Sequence, residues 1–244
     1  MTDSTAKRAL ITGGSGEIGA AISRRLAKDG HHVYIHAYRG ADAAQALAGE
    51  IVASGGRAQA ICFDITDAQA AEAALASVLE AGPIQILVNN AGIHDDAPFP
   101  GMSADQWHGV IDVSVNGFFN VTRPLIMPMI RTRWGRIVNT SSIAALIGNR
   151  GQVNYAASKG ALNAATKALA LEVATRGITV NAVAPGIIAT SMTGDIFDAE
   201  TIARVVPMKR AGLPEEVAGL VAYLVSDEAG YVTAQIISIS GGMA

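Results

Sequence analysis

The sequence predicts an α/β fold in which helices cover both faces of one doubly wound parallel sheet. Short runs rich in aliphatic and β-branched residues alternate from end to end with longer Ala-rich segments of helical spacing. Half of the 244 residues are hydrophobic and only 16% are charged, which is enough apolar material for a large core. The chain contains no repeat, linker or low-complexity segment, so we expect a single domain over 1–244.

The first three strands and helices follow one another from residue 9. An apolar run at 9–12 predicts a strand that ends in glycines, and helical spacing predicts a helix over 18–28 that stops at Gly30. Runs at 33–37 and 58–63 predict the second and third strands. Helices are expected over 42–53, closed by Gly55 and Gly56, and over 67–81, with Thr66 able to cap the second of them.

The alternation continues through the second half. The uninterrupted apolar run at 84–88 predicts a strand that is buried on both faces. Ser103-Ala-Asp-Gln106 has the form of a capping box and opens a long helical stretch towards Ile130. Further strands are expected at 136–139, 179–183 and 235–239, and helices at 152–175 and 214–226. Ligands of such sheets bind beyond the carboxyl ends of the strands, so the residues that follow each strand are candidate binding residues.

Composition excludes several classes of protein. A net charge of −3 and a pI near 5.9 give no global attraction for nucleic acid or for an anionic membrane. Cys62 is the only cysteine, which excludes a disulfide framework, and no Cys/His spacing indicates a metal site. No apolar run approaches the roughly 18 residues of a membrane helix, and the polar segment from Met1 to Arg8 is unlike a signal peptide. We therefore expect a soluble, cytoplasmic protein.

The glycine-rich segment Thr12-Gly-Gly-Ser-Gly-Glu-Ile-Gly19 follows the first strand and opens the first helix. Glycines let the backbone approach a pyrophosphate closely, and a helix N-terminus offers free N–H groups and the positive end of its dipole. The segment therefore predicts a dinucleotide site, although a glycine-rich turn without a ligand has the same composition. The candidate residues are Gly13, Ser15, Gly16, Glu17, Ile18 and Gly19.

The end of the second strand is where the adenosine ribose of a dinucleotide is read. Tyr38 holds the position where an acidic residue would favour a free 2′-hydroxyl, and Arg39, which follows it, suits a 2′-phosphate. This favours NADP(H) over NAD(H), although Arg39 could also be a solvated loop residue. Asp64, followed by Ile65, comes after the third strand and could accept a hydrogen bond from adenine or serve as a turn residue at the helix entry.

Asn89-Asn-Ala-Gly92 ends the fourth strand. Its small residues would let the chain pass close to the ribose and the nicotinamide, and asparagine side chains can tie neighbouring strands together. Asn90, Ala91 and Gly92 are therefore candidate cofactor residues. The tetrapeptide alone is also compatible with an ordinary turn.

Tyr155 and Lys159 lie at i and i+4 in a helical segment, which places the phenol and the ammonium on one helix face. A nearby cation favours phenolate, so we expect a lowered tyrosine pKa and a general acid able to protonate a forming alkoxide. A hydroxyl that follows the fifth strand could hydrogen-bond a substrate oxygen at the same sheet edge. Thr140, Ser141 and Ser142 are equivalent in this respect by residue type.

Together these motifs resemble the short-chain dehydrogenase/reductase family, whose fold is a single-domain, Rossmann-type doubly wound parallel sheet. TGGSGEIG looks like the family's cofactor loop, NNAG its fourth-strand signature, and Ser142, Tyr155 and Lys159 match its Ser, Tyr and Lys. The resemblance runs from about Arg8 to Met243. Within the family it is greatest to the bacterial 3-oxoacyl-(acyl-carrier-protein) reductases, through GNRGQVNYAASKGAL from Gly148, RGITVNAVAPGIIATSMT from Arg176 and the closing ISGGM.

The resemblance implies reversible hydride transfer between NADP(H) and a β-carbonyl carbon, in fatty-acid or polyketide-like chain extension. Tyr155 would give the proton, Ser142 would polarise the carbonyl, and Lys159 would lower the tyrosine pKa and bind the nicotinamide ribose. It also implies a cofactor half at about 1–140, a catalytic and substrate half at about 141–244, and a mobile lid over 190–208. The residues that would hold the carboxamide end are Pro185, Gly186, Ile188 and Thr190.

Two residues depart from the family pattern. Ser114 stands where a fourth catalytic residue, an asparagine, is usual, and it could hold part of a water relay to Lys159 with shorter reach. Asn116 is no substitute, since i+2 on a helix points to nearly the opposite face. Glu17 replaces the usual middle glycine of the cofactor loop, where a carboxylate would repel a pyrophosphate unless it turns outward, while Gly16 takes a position that is often basic in NADP-preferring members.

The partners implied by the resemblance are an acyl carrier protein, an acyl thioester and further copies of the chain in a homotetramer. Arg133 and Arg176 match positions where such reductases dock the acidic carrier protein, although a basic helix end would look the same. Two alternatives remain: a dehydrogenase of a free alcohol or sugar, and a catalytically weak NADP-binding subunit of a hetero-oligomer. Nucleic acid and membrane are not expected partners.

Overall fold

A computed structural model of the chain describes residues 6–191 and 198–244. These residues form one seven-stranded parallel sheet in the order β3-β2-β1-β4-β5-β6-β7. The strands are β1 Arg8–Ile11, β2 His32–Ala37, β3 Arg57–Cys62, β4 Ile86–Asn89, β5 Gly135–Thr140, β6 Ile178–Pro185 and β7 Ile236–Ile239. The predicted doubly wound α/β fold is confirmed.

Helices connect successive strands across the two faces of the sheet. They are α1 Glu17–Lys28, α2 Ala41–Ala53, α3 Ala68–Glu80, α4 Ala104–Ile111, α5 Gly117–Thr132, α6 Ala144–Ile147, α7 Val153–Val173, α8 Ala199–Val205 and α9 Pro214–Val225. Short 3₁₀ turns lie at Phe99–Gly101 and Ala174–Arg176, and a π-helical turn at Asp112–Asn116 joins α4 to α5. In the described part of the chain, no helix has the length and apolar character needed to cross a membrane.

The sheet separates the core into two apolar layers. α1, α2 and α9 cover one face, whereas α3, α5 and α7 cover the other. Successive residues of the central strands alternate between these layers: Ile86 and Val88 point to the first and Leu87 to the second, all fully buried. This is why the strand reads as an uninterrupted apolar run in the sequence.

Of two predicted helix caps, one is confirmed and the other is wrong. The predicted capping box is present, since the Gln106 N–H donates to Ser103 Oγ at 3.2 Å and the Ser103 N–H to Gln106 Oε1 at 3.0 Å. Thr66, however, does not cap α3. Asp67 does, accepting the N–H groups of Gln69 and Ala70 at 2.9 and 3.0 Å.

The order of the strands reverses at β1, which pairs with β2 on one side and with β4 on the other. In open α/β sheets the loops that leave neighbouring strands on opposite sides of such a point diverge and leave a crevice. The carboxyl ends of β1 and β4 therefore define where a ligand would bind.

Candidate active site

A cleft of about 460 Å³ opens at the carboxyl ends of β1 and β4, as the topology requires. It contains most of the residues that the sequence predicts for cofactor binding, together with the proposed catalytic tyrosine and lysine. The lining residues are Gly13, Ser15, Gly16, Glu17, Ile18, Gly19, Asn90, Ala91, Gly92, Ile93, His94, Thr140, Tyr155, Lys159, Thr190 and Ser191.

The glycine-rich loop is shaped by backbone contacts that a side chain would prevent. Gly13 has a φ of +60°, and a Cβ on Gly19 would lie 2.1 Å from the Gly13 carbonyl oxygen. At Gly16, in contrast, the nearest atom to such a Cβ position among the described residues is the Gly13 carbonyl oxygen, at 3.5 Å. The loop is therefore folded tightly against α1 while its tip stays open to the cleft, a cradle that fits a pyrophosphate at the N-terminus of α1.

The NNAG segment is tied directly to this loop. The Asn90 side chain donates to the carbonyl oxygens of Thr12 and Gly13 at 3.1 and 3.2 Å. The backbone N–H groups of Asn90 and Ala91 both donate to Thr12 Oγ1 at 3.0 Å. The loops that leave β1 and β4 thus form one hydrogen-bonded wall of the cleft.

Beneath this wall lies a buried polar network that sequence reasoning located only in part. Asn89 Nδ2 donates to Asn139 Oδ1 on β5 at 2.9 Å, and Asn139 Nδ2 donates to Thr166 Oγ1 on α7 at 2.8 Å. The ability of Asn89 to tie strands together was predicted, whereas the participation of Asn139 and Thr166 was not. The participation of Asn139 could have been inferred from the sequence, because Asn89 and Asn139 lie at the ends of two strands that pair with each other.

At the end of β2, Tyr38 is 53% exposed and Arg39 lies over its ring at 5.1 Å. Asp64 Oδ1 accepts the N–H and the hydroxyl of Thr66 at 2.8 and 2.7 Å. Partial burial opposes the charged form of Asp64, but hydrogen bonds from Thr66 and Tyr38, with Arg39 nearby, leave the pKa of its carboxyl below the usual value. Asp64 thus acts in the turn that leads into α3. The side chain of Ile65 is buried next to it.

Of the three hydroxyls at the end of β5, Ser142 is the one that hydrogen-bonds Tyr155. The other two contact Lys159 or the NNAG wall instead. Ser141 Oγ donates to the Lys159 carbonyl oxygen at 3.3 Å, and Thr140 Oγ1 lies 3.4 Å from Asn90 Oδ1. The structure therefore distinguishes residues that their types alone could not.

Lys159 lies on the same helix face as Tyr155, with its Nζ 5.6 Å from the centre of the phenol ring. The amine donates to the Thr140 carbonyl oxygen at 2.8 Å. A Cβ on Gly92 would approach Nζ to 3.0 Å, so a glycine leaves the amine its space. Complete burial lowers the pKa of Lys159 to about 8.

The pKa of Tyr155 differs from the sequence prediction. Burial raises the pKa of the phenol above its ordinary value, and the negative charge of Asp96 acts in the same direction, while the hydrogen bond with Ser142 opposes both. The expected lowering by Lys159 is absent because its amine is directed at the Thr140 carbonyl oxygen rather than at the phenol. Tyr155 is therefore held in its protonated form.

Ser114 lies in the π-helical turn and is buried, with no hydrogen-bond partner for its hydroxyl among the residues that the structure describes. It makes no direct contact with Lys159 that would form a relay. Asn116 points elsewhere, as expected, since its side chain donates to Asp112 Oδ1 at 2.7 Å on the exposed side of the turn.

The loop after β6 forms the opposite side of the cleft. Gly186 lies against the end of β7, since its N–H donates to the Ile239 carbonyl oxygen at 3.0 Å. A Cβ on Gly186 would lie 2.8 Å from Cα of Ser240, the residue after β7, and Ile188 is buried. Thr190 lines the cleft, whereas Pro185 and Ile188 anchor the loop below it. Of the expected lid over 190–208, residues 192–197 lie outside the described part of the chain.

A second cavity of about 300 Å³ adjoins the first at His94 and Tyr155, which line both, and Ser142 also lines it. Its lining combines polar side chains with apolar ones. The polar ones include His94, Asn149 and Gln152, and the apolar ones are Ile143, Ala144, Ile147, Ile187, Val205 and Met243. The cavity is therefore suited to a ligand that has both apolar and polar parts.

The structure does not bring Arg133 and Arg176 to this cleft. Both are exposed and lie immediately before β5 and β6, at the amino ends of the strands. The six residues of β5 separate that edge from the catalytic edge by roughly 20 Å.

No cluster of three or more His, Cys, Asp or Glu side chains suited to a metal ion occurs within 6–191 and 198–244. The chemistry that the cleft offers is thus that of a protonated phenol, a serine hydroxyl and a buried amine beside a glycine-rich cradle. Comparison with known proteins agrees with this arrangement, since a family model described as short chain dehydrogenase matches residues 7–201. The chain belongs to the short-chain dehydrogenase family.

Membership of the family makes the protein an oxidoreductase. Its relatives also match over nearly their whole length. A 3-oxoacyl-(acyl-carrier-protein) reductase of Synechocystis sp. is 41% identical over 245 residues, covering 100% of this chain and 99% of the relative. One of the same name from Aggregatibacter actinomycetemcomitans is 43% identical, covering 96% and 98%. Nodulation protein G of Azospirillum brasilense is 42% identical, covering 97% and 98%.

Proposed function

We propose that the protein reduces the 3-oxo group of an acyl thioester on acyl carrier protein to the 3-hydroxyl, with NADPH, during fatty-acid or polyketide-like chain extension in the cytoplasm. The observation that carries the proposal is the full-length similarity to 3-oxoacyl-(acyl-carrier-protein) reductases of two organisms. The mixed apolar and polar cavity beside Tyr155 supports it, because it suits an acyl chain joined to a polar thioester arm.

The chain would divide into a cofactor half at about 1–140 and a catalytic half at about 141–244. When bound in the cleft, the nicotinamide cofactor supplies the hydride. The pyrophosphate would be held by the glycine-rich loop, the ribose and nicotinamide by Asn90, Ala91, Gly92 and Lys159, and the carboxamide by the loop that carries Thr190. The 2′-phosphate would be held by Arg39 alone beside Tyr38, which gives a moderate preference for NADPH.

The role of each catalytic residue follows from its pKa and contacts. Tyr155 would donate its proton to the substrate oxygen, and its raised pKa keeps that proton in place until an alkoxide, a far stronger base, forms. Ser142 would hydrogen-bond the same oxygen. Lys159, with a pKa of about 8, is mostly charged at neutral pH and can return a proton towards Tyr155. Ser114 would hold a water on this route, since its buried hydroxyl lacks a protein partner among the described residues.

We further propose a homotetramer in which the carrier protein docks on Arg133 and Arg176 of one copy and delivers its substrate to another copy. The proposal rests on the position of the arginines at the sheet edge away from the cleft. Mixed tetramers test it. Subunits with Tyr155→Phe and subunits with both arginines changed to glutamate should be nearly inactive alone and regain activity when assembled together. Docking and catalysis within one copy would leave the mixture inactive.

The function itself is tested by initial rates with acetoacetyl thioester on carrier protein, with NADPH and with NADH. Tyr155→Phe should lose at least 100-fold in kcat, as expected for removal of a general acid, while Tyr223→Phe on the distant α9 should not. Fast turnover on free alcohols or ketones and none on the thioester would replace the proposal with a free-alcohol dehydrogenase. Tight NADPH binding without any turnover would replace it with the non-catalytic subunit of a hetero-oligomer.

A further inference from the structure

Glu17, the residue that replaces a glycine in the cofactor loop, makes a specific contact across the cleft. Both of its carboxylate oxygens accept the backbone N–H of Ser191 at 2.9 Å. Glu17 is the first residue of α1, whereas Ser191 follows β6 on the other side. A single side chain therefore connects the two walls of the cleft.

The start of α1 favours a carboxylate at this position. The carboxylate of Glu17 stands at the N-terminus of α1, where the helix dipole favours negative charge and where Gly16 supplies no side-chain cap. The nearby guanidinium of Arg24 is engaged elsewhere, since it donates to both carboxylate oxygens of Glu50 at 2.7 and 2.8 Å. Glu17 and Ser191 both line the cofactor cleft and the neighbouring cavity that Arg24 also lines.

A pyrophosphate would bind at the same helix end at which Glu17 stands. The free N–H groups at the start of α1 and its positive dipole end are the basis of anion binding in such loops. A phosphate brought to this N-terminus comes close to a carboxylate of like charge, and two charges of one sign repel. Glu17 and Ser191 are both exposed, so water and salt screen this repulsion.

We propose that Glu17 determines cofactor affinity by clasping the loop after β6 onto the cofactor loop through Ser191, and that the cofactor's pyrophosphate competes with this contact and displaces the carboxylate from Ser191 on binding. The inference rests on the nicotinamide cofactor of the proposed function but not on its acyl substrate. In this proposal, the replacement of the usual glycine by Glu17 has a function in cofactor binding. The clasp lowers affinity for NADPH and NADH alike, because the pyrophosphate is common to both.

Two variants separate the charge of Glu17 from its hydrogen bonds. Glu17→Gln removes the charge and keeps an acceptor oxygen at the same reach. Ser191→Pro removes the N–H donor and keeps the charge, because proline has no backbone N–H. Glu215→Gln is the matched control, since Glu215 is an exposed carboxylate on the wall of the neighbouring cavity and has no part in the clasp.

Binding of NADPH and NADH is measured by fluorescence titration and stopped flow, without acyl substrate. Loss of one charge-assisted hydrogen bond corresponds to roughly a tenfold change in affinity. We therefore expect Ser191→Pro and Glu17→Gln each to bind both cofactors about tenfold more tightly and to associate faster, while Glu215→Gln matches the wild type. The gain in Glu17→Gln should shrink at 1 M salt, where charge repulsion is screened, and the gain in Ser191→Pro should persist.

Amide hydrogen exchange supplies an independent readout that needs no cofactor. The Ser191 amide should exchange more slowly in the wild type than in Glu17→Ala, since only the wild type has the acceptor. Equal exchange rates would overturn the clasp. Tighter binding in Glu17→Gln with no gain in folded Ser191→Pro would also overturn it and leave simple repulsion. If neither NADPH nor NADH binds the wild type, the proposed function fails, whereas the exchange result still decides whether the clasp exists.

Discussion

Lys159 allows a quantitative prediction, because its buried amine links protonation to folding. Burial lowers its pKa from 10.5 in an exposed lysine to about 8 in the folded protein. The unfolded chain therefore binds more protons than the folded chain between these two values, and the free energy of unfolding must rise with pH in that window. Below about pH 8 the folded protein bears the full cost of a buried ammonium.

The size of the effect follows from the difference between the two pKa values, which corresponds to about 3 kcal/mol. Lys159→Met removes the titrating group but keeps most of the apolar stem. Measured as wild type minus variant, the free energy of unfolding should increase by about 3 kcal/mol between pH 7.5 and 10.5. The hydrogen bond to the Thr140 carbonyl oxygen is lost in the variant and shifts this difference at every pH.

Urea unfolding followed by circular dichroism at pH 7.5, 9 and 10.5 measures this difference, at one protein concentration throughout. Both proteins are best compared in a Tyr155→Phe background, because the neighbouring phenol is itself a titratable group. Most other ionisable groups are common to both proteins, so their contributions cancel in the difference between the two free energies of unfolding. A difference that stays flat with pH would refute the buried, depressed lysine, and one that falls would mean that the folded state favours the ammonium.

Three further substitutions test the scaffold of the site, each by urea unfolding. Gly19→Ala should cost at least about 2 kcal/mol and weaken NADPH binding, because its Cβ would lie 2.1 Å from the Gly13 carbonyl oxygen. Gly49→Ala should instead stabilise α2 by about 0.5 to 1 kcal/mol, since no atom of the described residues lies within 4 Å of its Cβ position. An equal effect at both positions would contradict the close approach. Asp67→Ala should cost about 1 kcal/mol and Asp67→Asn much less, since the asparagine oxygen can still cap α3. Asn139→Ala should cost about 2 kcal/mol, because it removes two buried hydrogen bonds, one with Asn89 and one with Thr166. Each partner keeps one other hydrogen bond, to Thr122 and to the Leu162 carbonyl oxygen respectively. A loss below 1 kcal/mol would show that the network is dispensable.

The fold could be predicted from the sequence because its signals are local. Apolar runs and glycine stops gave every strand to within about two residues, since a strand covered on both faces must be apolar throughout. The predicted cap of α3 was wrong because threonine and aspartate are both residue types that cap helices, and Thr66 and Asp67 are adjacent. Asp64 decides between them by drawing the Thr66 hydroxyl into its own turn, a choice that depends on three-dimensional contacts.

The site was predictable in position more than in chemistry. Residues that follow parallel strands meet at one edge, so Ser142 and the two glycine-containing motifs could be placed together from the sequence. Tyr155, which lies within α7, was added to them through the resemblance to the family. The pKa of Tyr155 could not be predicted, because it depends on how deeply the phenol is buried and on where the Lys159 amine points. The π-helical turn around Ser114 has no counterpart in the sequence pattern, which reads as one helix from α4 into α5.

The positions of the basic residues Arg133 and Arg176 can be argued in the same way, because they precede strands instead of following them. A residue that precedes a parallel strand lies at the opposite edge from one that follows it, so the order Arg133, β5, Ser142 alone separates the arginine from the catalytic serine by the length of the sheet. A family match in sequence conveys no such distance, because it compares positions one at a time. If these arginines hold the carrier protein, the structure requires the acyl group either to cross the length of the sheet or to enter the site of a neighbouring copy. In the second case, docking of the carrier protein depends on the oligomer. A surface far from the active site of its own copy contributes to catalysis only if the symmetry of the oligomer brings it close to the active site of another copy.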